Sequence, residues 1–558
     1  MLRIVGDKVA IETKTLKAEM TRGWLTSLSA KGGGSFLEPF AVETGSALEL
    51  VYGDGGIAGF GSDKPATVSH HRVSDHCVEI RFHGWDADGV IRVSECPESG
   101  ALLVEPSAYS SRPGVRSCRW WLRGIPRELE LVAPLYQGIR MPLSDSLIHN
   151  THWPWPNHWE VGLAILQGAG RGFWVHTQDT AYRYKGLQIG KADEANSLGF
   201  DTETNGYVDT CLGMGGLTWR INVYEGDWQA PAKIYRDWLW KAYDLAPRAA
   251  SRPQWVRDLR FTLGWGHDDP AILDALASKV KPSRTLIHFS QWRTNAYDEN
   301  YPDYTPTAAA KAFFAKGRAM GFHIMPHCNA IDMDPIHPAY HWIRDFEYRD
   351  LVSQGRLGWG YDKKILSVPN SNVSLQENRA RKVMVKVHPG LSMWRSILCE
   401  EMGKGIEGLN LDAVFIDVTL NCFNIHNCLV ENTTPAEGMK ILIDEVAMLG
   451  GGVAVGGEGL NEITAQGLSL AQAHLFRHMI DNEEIERAGG CAVNAFLFDG
   501  LCRTVGYASL SGKTEKDRRC SRIHLSLGAI PTVNGVKAEE IRNPNPYIQQ
   551  LIDMANAD

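Results

Sequence analysis

Two short apolar runs, separated by one amphipathic helix, constrain this chain more than any other stretch. The first reads Ala413-Val414-Phe415-Ile416-Asp417-Val418-Thr419 and the second Gly451-Gly452-Val453-Ala454-Val455-Gly456-Gly457-Glu458-Gly459. Each is apolar up to a single carboxylate, which is how a strand buried on both faces reads, while residues 435–449 between them place apolar groups at helical spacing. A strand, helix, strand unit of this kind belongs to a parallel sheet. In a closed parallel barrel the C-terminal strand ends surround one cleft, so Asp417 and Glu458 are expected at neighbouring strand mouths, facing it.

The alternation extends from Trp255 onward. Strands are expected at 259–265, 285–292, 323–329, 413–419 and 453–458, a sixth within 492–498 and a seventh near 525–533. Helices fit 270–280, 306–320, 392–406, 435–449 and 463–474. No segment after Asn534 reads as an eighth strand. The expectation is a (β/α)8 barrel over residues 254–558, irregular at its end, with a long insertion at about 330–390. Connections of that length usually carry function or a small fold of their own. His337, His341, Trp342, Trp359 and Tyr361 there suit either a lid or a structural subdomain.

Before the barrel, residues 1–228 are rich in short β-branched runs divided by Gly, Asp and Ser clusters such as Gly53-Asp54-Gly55-Gly56, which predicts an antiparallel β-sandwich. Within it Trp153-Pro154-Trp155-Pro156-Asn157-His158-Trp159 is a stiff aromatic loop. It suits the cover of a sugar pocket and an aromatic corner inside the sandwich equally well. A linker helix is expected over 229–253, because Pro231-Ala232-Lys233-Ile234-Tyr235-Arg236-Asp237-Trp238-Leu239-Trp240 combines a Pro start with helical spacing. The fold class is therefore multidomain β plus α/β.

At 558 residues the chain exceeds one ordinary core, and its net charge of −8 gives no reason to expect nucleic acid or an anionic membrane as partner. The opening Met1-Leu2-Arg3-Ile4-Val5-Gly6-Asp7-Lys8 has no long apolar run, and the 11 Cys follow no repeat spacing, which fits reduced thiols and a cytoplasmic location. The 18 Trp supply flat faces of the kind that wall sugar sites, although most are expected in cores.

Polar and aromatic groups gather at the expected strand mouths: Trp265, His267 and Asp268 after strand one, His288 and Trp292 on strand two, His327 and Asn329 on strand three. Asn421 follows strand four and Glu462 follows strand five. Any single one is more often a cap or a satisfied core residue; together they outline a hydroxyl-reading substrate pocket. Cleaving a glycosidic bond needs one group to protonate the leaving oxygen and another to attack the anomeric carbon. Asp417, short and fixed at a strand end, suits the nucleophile. Glu458, longer and flanked by glycines, suits the acid, with Glu462 as its rival.

A sandwich, a linker helix and a barrel, with Phe-Ile-Asp closing strand four and Gly-Gly-Glu-Gly closing strand five, resembles the retaining α-N-acetylgalactosaminidase families, both endo- and exo-acting. The resemblance implies Asp417 as nucleophile, Glu458 as acid/base, an α-linked glycoside as substrate (an α-N-acetylgalactosaminide or α-galactoside) and retention of configuration. The α-amylase clan is similar more distantly, but it carries an Arg two residues before its Asp, where Phe415 stands here. A catalytically silent carbohydrate-binding protein on the same scaffold is the competing reading, as is an α-glycosidase of other specificity. A barrel aldolase or lyase is disfavoured, since no lysine closes an expected strand. No helix-borne two-His motif points to a catalytic metal, so no cofactor is expected, while a structural calcium on loop carboxylates stays open. The expected partner is an oligosaccharide or glycoconjugate, and the oligomeric state is left open, a homodimer included.

Overall fold

The computed structural model describes residues 2–43, 45–59, 67–83, 87–145, 148–190, 196–266, 269–359, 384–474 and 489–557. The chain divides into two compact units, Met1–Tyr243 with Asn482–Leu497, and Asp244–Asp481 with Phe498–Asp558.

The first unit is antiparallel throughout, with sheets of 4, 11 and 6 strands. Its strands alternate as half-buried strands must: Leu102–Ser110 buries every second residue. Aromatic rings join the two larger sheets. Trp120 and Phe200, paired on the 6-stranded sheet, stack at 5.9 Å, and Phe200 lies 5.0 Å from Trp219 of the 11-stranded sheet. Trp159 stacks on Trp219 at 6.1 Å. Trp153, Trp155 and Trp159 are all buried, as an aromatic corner of the sandwich interior requires.

Two boundaries differ from the sequence expectation. The helix Gln229–Ala242 belongs to the first unit, which ends at Tyr243 rather than near residue 228. Residues expected to form barrel strand six instead form a short helix, Val493–Leu497, that is also part of the first unit: Trp240 donates to the Leu497 carbonyl at 2.8 Å and Asn494 to Glu160 at 2.8 Å. An apolar run of this length cannot be told from a buried helix by periodicity.

The second unit carries a fully parallel 8-stranded sheet. Strands one to eight are Phe261–Gly266, Thr285–Phe289, His323–Asn329, Ala413–Asp417, Ala454–Glu458, Leu470–Gln472, Arg503–Val505 and Thr532–Asn534. Strand one pairs with strand eight, and a parallel bridge from Val505 to Ile530 closes the ring, giving a β-sandwich and a (β/α)8 barrel in one chain. Leu259, Leu286, Met325, Phe415, Leu470 and Ile530 fill the barrel core. The first five strands and four of the five expected helices stand where periodicity placed them. The fifth expected helix, 463–474, is wrong: it contains a 3-10 turn, Thr464–Gln466, and strand six. Three-residue strands such as six, seven and eight carry too few side chains to show a period.

Local sequence sets the element ends. The helix Pro435–Val446 starts with Thr434 as cap, Pro at its first turn and a reciprocal Thr434–Glu437 capping box. Gly456 and Gly457 let strand five lie close to its neighbours, because an added Cβ would sit 2.5 Å from Met325 Sδ and 2.7 Å from Thr419 Oγ1 respectively. After strand three the insertion forms a small antiparallel sheet from Asp332–Met333, Met384–Lys386 and Gly358–Trp359. His337 accepts from Ala339 N and the His341 ring lies tilted against that of the exposed Trp342, both local contacts; Tyr361 lies outside the described residues.

Candidate active site

Strand four is buried along its whole length and ends in Asp417, 9 % exposed. The next residue, Val418, has a φ of 57°, a left-handed conformation that a β-branched side chain rarely adopts. That turn aims the Val418 N–H at Glu458 Oε2, 3.0 Å away. Thr419 completes the clamp: its hydroxyl donates to the Glu458 carbonyl and accepts from the Glu458 N–H, both at 2.8 Å. Strands four and five are thus locked at their mouths, and Glu458, 3 % exposed, faces Asp417 at hydrogen-bonding range.

The two carboxyls are driven apart electrostatically. Burial raises Glu458, and the charge of Asp417 with the hydrogen bond between them raises it further, so its carboxyl stays well above the usual range and holds its proton. Burial alone would raise Asp417 too. Its hydrogen bond with His327, the proton offered by Glu458 and the charge of His474 outweigh that cost and hold it below the usual carboxylate range. His327 Nε2 lies 3.5 Å and Tyr297 Oη 3.4 Å from Asp417 Oδ2. Burial, then the Asp417 charge, pushes the Tyr297 phenol far up, so it remains a donor. His474 Nε2 lies 3.2 Å from Glu458 Oε1.

Aromatic rings wall the pair. Trp265, itself at a φ of 54°, meets Tyr297 at 5.8 Å, His327 at 5.3 Å and Tyr507 at 5.7 Å, and Tyr507 meets His474 at 4.3 Å. On the insertion side Lys386 donates to Asp332 at 2.7 Å, Asn329 donates to the same carboxylate at 3.3 Å, and the Lys386 charge favours ionised Glu458.

Of the residues singled out from sequence, Asp417, Glu458, Trp265 and His327 come together. His288 lies one layer back, its ring against His327 rather than toward the cleft. Trp292 is fully buried, stacks on Tyr304 and donates its indole N–H to the His327 carbonyl at 2.7 Å, so it supports strand three instead of reading substrate. Asn329 turns the chain through Oδ1, which accepts from Ile331 N and Asp332 N. The Asn421 N–H donates to the Val418 carbonyl, and the Asn421 carbonyl accepts from Tyr348, tying the loop after strand four. Glu462 is buried, with its carbonyl accepting from Gln466, and it is Glu458 that couples to Asp417. His267 and Asp268 lie outside the described residues. Tyr297, Gln472, His474, Lys386 and Tyr507 were missed: two sit in the stretch read as a helix, and the others lie away from the expected strand mouths.

Among the described residues one group offers metal-ligand atoms within 4.8 Å of one another, His152, Asp201 and Glu203 in the first unit. Arg119 already grips Asp201 through two nitrogens, at 2.5 and 2.9 Å, and its charge opposes a cation there. No helix is long and apolar enough to cross a membrane among the described residues.

Residues 217–433 match a family model described as a domain of unknown function, DUF6259. The match includes Asp417 and stops short of Glu458. A search of curated protein sequences finds no match. Among solved structures, the ligand-free α-N-acetylgalactosaminidase from Bifidobacterium bifidum superposes at a TM-score of 0.66 and 13 % identity, covering 100 % of this chain and 93 % of that one. Its complex with Gal-NHAc-DNJ gives 0.63 at 14 % identity, and its GalNAc complex 0.61 at 14 %, each covering 95 % of this chain and 92 % of that one. The likeness is one of fold. It extends over both units of this chain.

Proposed function

We propose that the protein is a glycoside hydrolase that cleaves an α-linked glycoside with retention, through a covalent intermediate on Asp417, with Glu458 as acid/base. One observation carries the reading: two buried carboxyls sit at the mouths of adjacent barrel strands and share a hydrogen bond, one held below the usual carboxylate range and the other pushed above it. Paired groups pushed in opposite directions are what acid and nucleophile roles require.

The separation favours retention. Inverting enzymes keep their carboxyls about 6.5 to 9.5 Å apart to admit a water, and retaining ones about 5 to 5.5 Å. Here a hydrogen bond between the carboxyls contributes to both shifts, which supports the close spacing of a retaining pair over one that admits a water. Glu458 then passes its proton to the leaving oxygen as Asp417 attacks the anomeric carbon. In the second half the Glu458 carboxylate takes a proton from water, the water attacks the same carbon, and Asp417 departs as the carboxylate. The wall of Trp265, Tyr297 and Tyr507 presents flat apolar faces beside polar atoms, which suits the two sides of a pyranose. The fold shared with an α-N-acetylgalactosaminidase makes the α-N-acetylgalactosaminide the first substrate to try and the α-galactoside the second.

A panel of nitrophenyl α- and β-glycosides tests the reading. Release from an α-linked member is expected, with proton NMR showing the α anomer of the sugar as first product. The β anomer as first product, or silence across the panel, would end the proposal as written.

A further inference from the structure

We propose that Gln472, His288 and His327 form a directional hydrogen-bond chain across the barrel interior that fixes the tautomer of His327 and so positions the attacking carboxylate of Asp417. The inference rests on Asp417 as nucleophile. Gln472 Nε2 lies 3.3 Å from His288 Nδ1, His288 Nε2 lies 3.1 Å from His327 Nδ1, and His327 Nε2 lies 3.5 Å from Asp417 Oδ2. Strands six, two, three and four each contribute one member.

The direction follows from donor counting. A neutral imidazole has one donor and one acceptor nitrogen, so a proton assigned at one end of the chain assigns the rest. Ionised Asp417 only accepts. A neutral His327 therefore carries its proton on Nε2, its Nδ1 accepts from His288 Nε2–H, and His288 Nδ1 accepts from the Gln472 amide. In the reverse direction the amide oxygen would accept, and His327 would point a lone pair at a carboxylate. Burial holds His288 well below its ordinary value, which keeps that ring neutral as the scheme requires.

Packing keeps both rings in place. Phe415 lies 4.5 Å from the His288 ring and 5.2 Å from that of His327, while Trp265 lies 5.2 and 5.3 Å away. The last link, at 3.5 Å, falls short of hydrogen-bond geometry in the free protein, and catalytic contacts of this kind tighten when substrate binds. Gln472 is the register partner of Glu458, and its carbonyl accepts from Gly459 N and His474 N. The strand that anchors the chain is thus paired to the strand that carries the acid, and one framework sets both carboxyls. Neutral N–H donors orient the anion without the full neutralisation a guanidinium would bring.

Long-range proton–nitrogen correlation spectra of protein labelled with [15N]histidine read the tautomers directly, with His288→Asn and His327→Gln supplying assignments. Both rings are expected neutral, protonated on Nε2. Gln472→Glu turns the anchor into an acceptor, so His288 should move to the Nδ1–H form or become imidazolium, and kcat should fall about 10- to 100-fold with KM within about two-fold. Gln472→Met removes the donor without burying a charge and should cost less, about 3- to 10-fold in kcat. A wild-type His327 protonated on Nδ1, alone or as imidazolium, or a folded Gln472→Glu with unchanged spectra and kcat, would overturn the chain. The spectra need no turnover: the expected tautomers in a protein that cleaves no glycoside would support the chain and sink the hydrolase reading instead.

Discussion

Two buried aspartates, one in each unit, solve the same electrostatic problem in different ways. Asp201 in the sandwich and Asp417 in the barrel both lie below the usual carboxylate range although burial works against them. Asp201 is held by a guanidinium: Arg119 binds it through two nitrogens, and His152 Nε2 lies 3.1 Å away. Asp417 is held by an imidazole, a phenol and the proton of a second acid. A permanent cation in bidentate contact neutralises its partner and ties up both oxygens, which makes a structural anchor. Ring and phenol contacts, a shared proton and the charge of His474 stabilise the anion yet leave it able to attack. The same residue type at similar depth is a strut in one unit and a reagent in the other.

The comparison breaks most sharply on exchange of the two aspartates for neutral residues. Asp417→Ala should lower kcat by about 10⁴-fold or more with little loss of stability, and azide should restore part of it as a β-glycosyl azide. Near-normal turnover would show that Asp417 is no reagent. Asp201→Asn should do the opposite, leaving turnover close to wild type while costing the first unit about 3 to 5 kcal/mol, since Arg119 is left buried without its carboxylate. Denaturant melts followed beside activity separate the two effects, and a silent Asp201→Asn would remove the contrast.

Next in size is the acid. Glu458→Ala should cost about 10² to 10⁴-fold in kcat/KM on glycosides with poor leaving groups and little in kcat/KM on nitrophenyl substrates whose oxygen needs no proton, while kcat falls on both because water loses its base. Equal losses in kcat/KM on both would move suspicion to Glu462. The pH profile carries the same logic. Activity is lost at low pH as Asp417 gains a proton and at high pH as Glu458 loses one, with the two limits belonging to the pair. Glu458→Gln should therefore abolish the alkaline limit on activated substrates, and a retained limit would assign it elsewhere.

Asp417 and Glu458 were legible because a carboxylate closing a continuous apolar run is costly unless the strand delivers it to a purpose. The same argument failed for Trp292 and Asn329: a polar group at a strand end serves the backbone as readily as a ligand, and their partners, the His327 carbonyl and the turn at Asp332, lie in other parts of the chain. Strands one to five could be placed since each spans five residues or more. Strand six hid inside an apparent helix, and with it Gln472 and His474. The excursion that returns Val493–Leu497 to the first unit carries no local signal, being set by tertiary contacts such as Asn494 to Glu160. What could not be read was whatever depends on long-range pairing of short segments.

The smallest effect is the most direct probe of the protonated acid. Folded Glu458 keeps a proton that the unfolded chain releases above the ordinary glutamate value of 4.5. The folded state then binds more protons than the unfolded one, so this residue's contribution to stability falls as pH rises from about 4.5 toward its folded value and is flat beyond. The Glu458→Gln substitution removes that liability, and the amide it introduces still has N–H groups for Asp417. This variant should therefore melt higher than wild type, by a margin that widens by roughly 3 °C per pH step above about 5, following the 1.4 kcal/mol of one pKa step. Asp201→Asn should show no such widening, because Asp201 is ionised in both states over that range and its loss costs the same at each pH. A margin that stayed constant from pH 5 to 8 would mean that Glu458 ionises normally in the folded protein, and the division of labour between the two carboxyls would have to be reversed or abandoned.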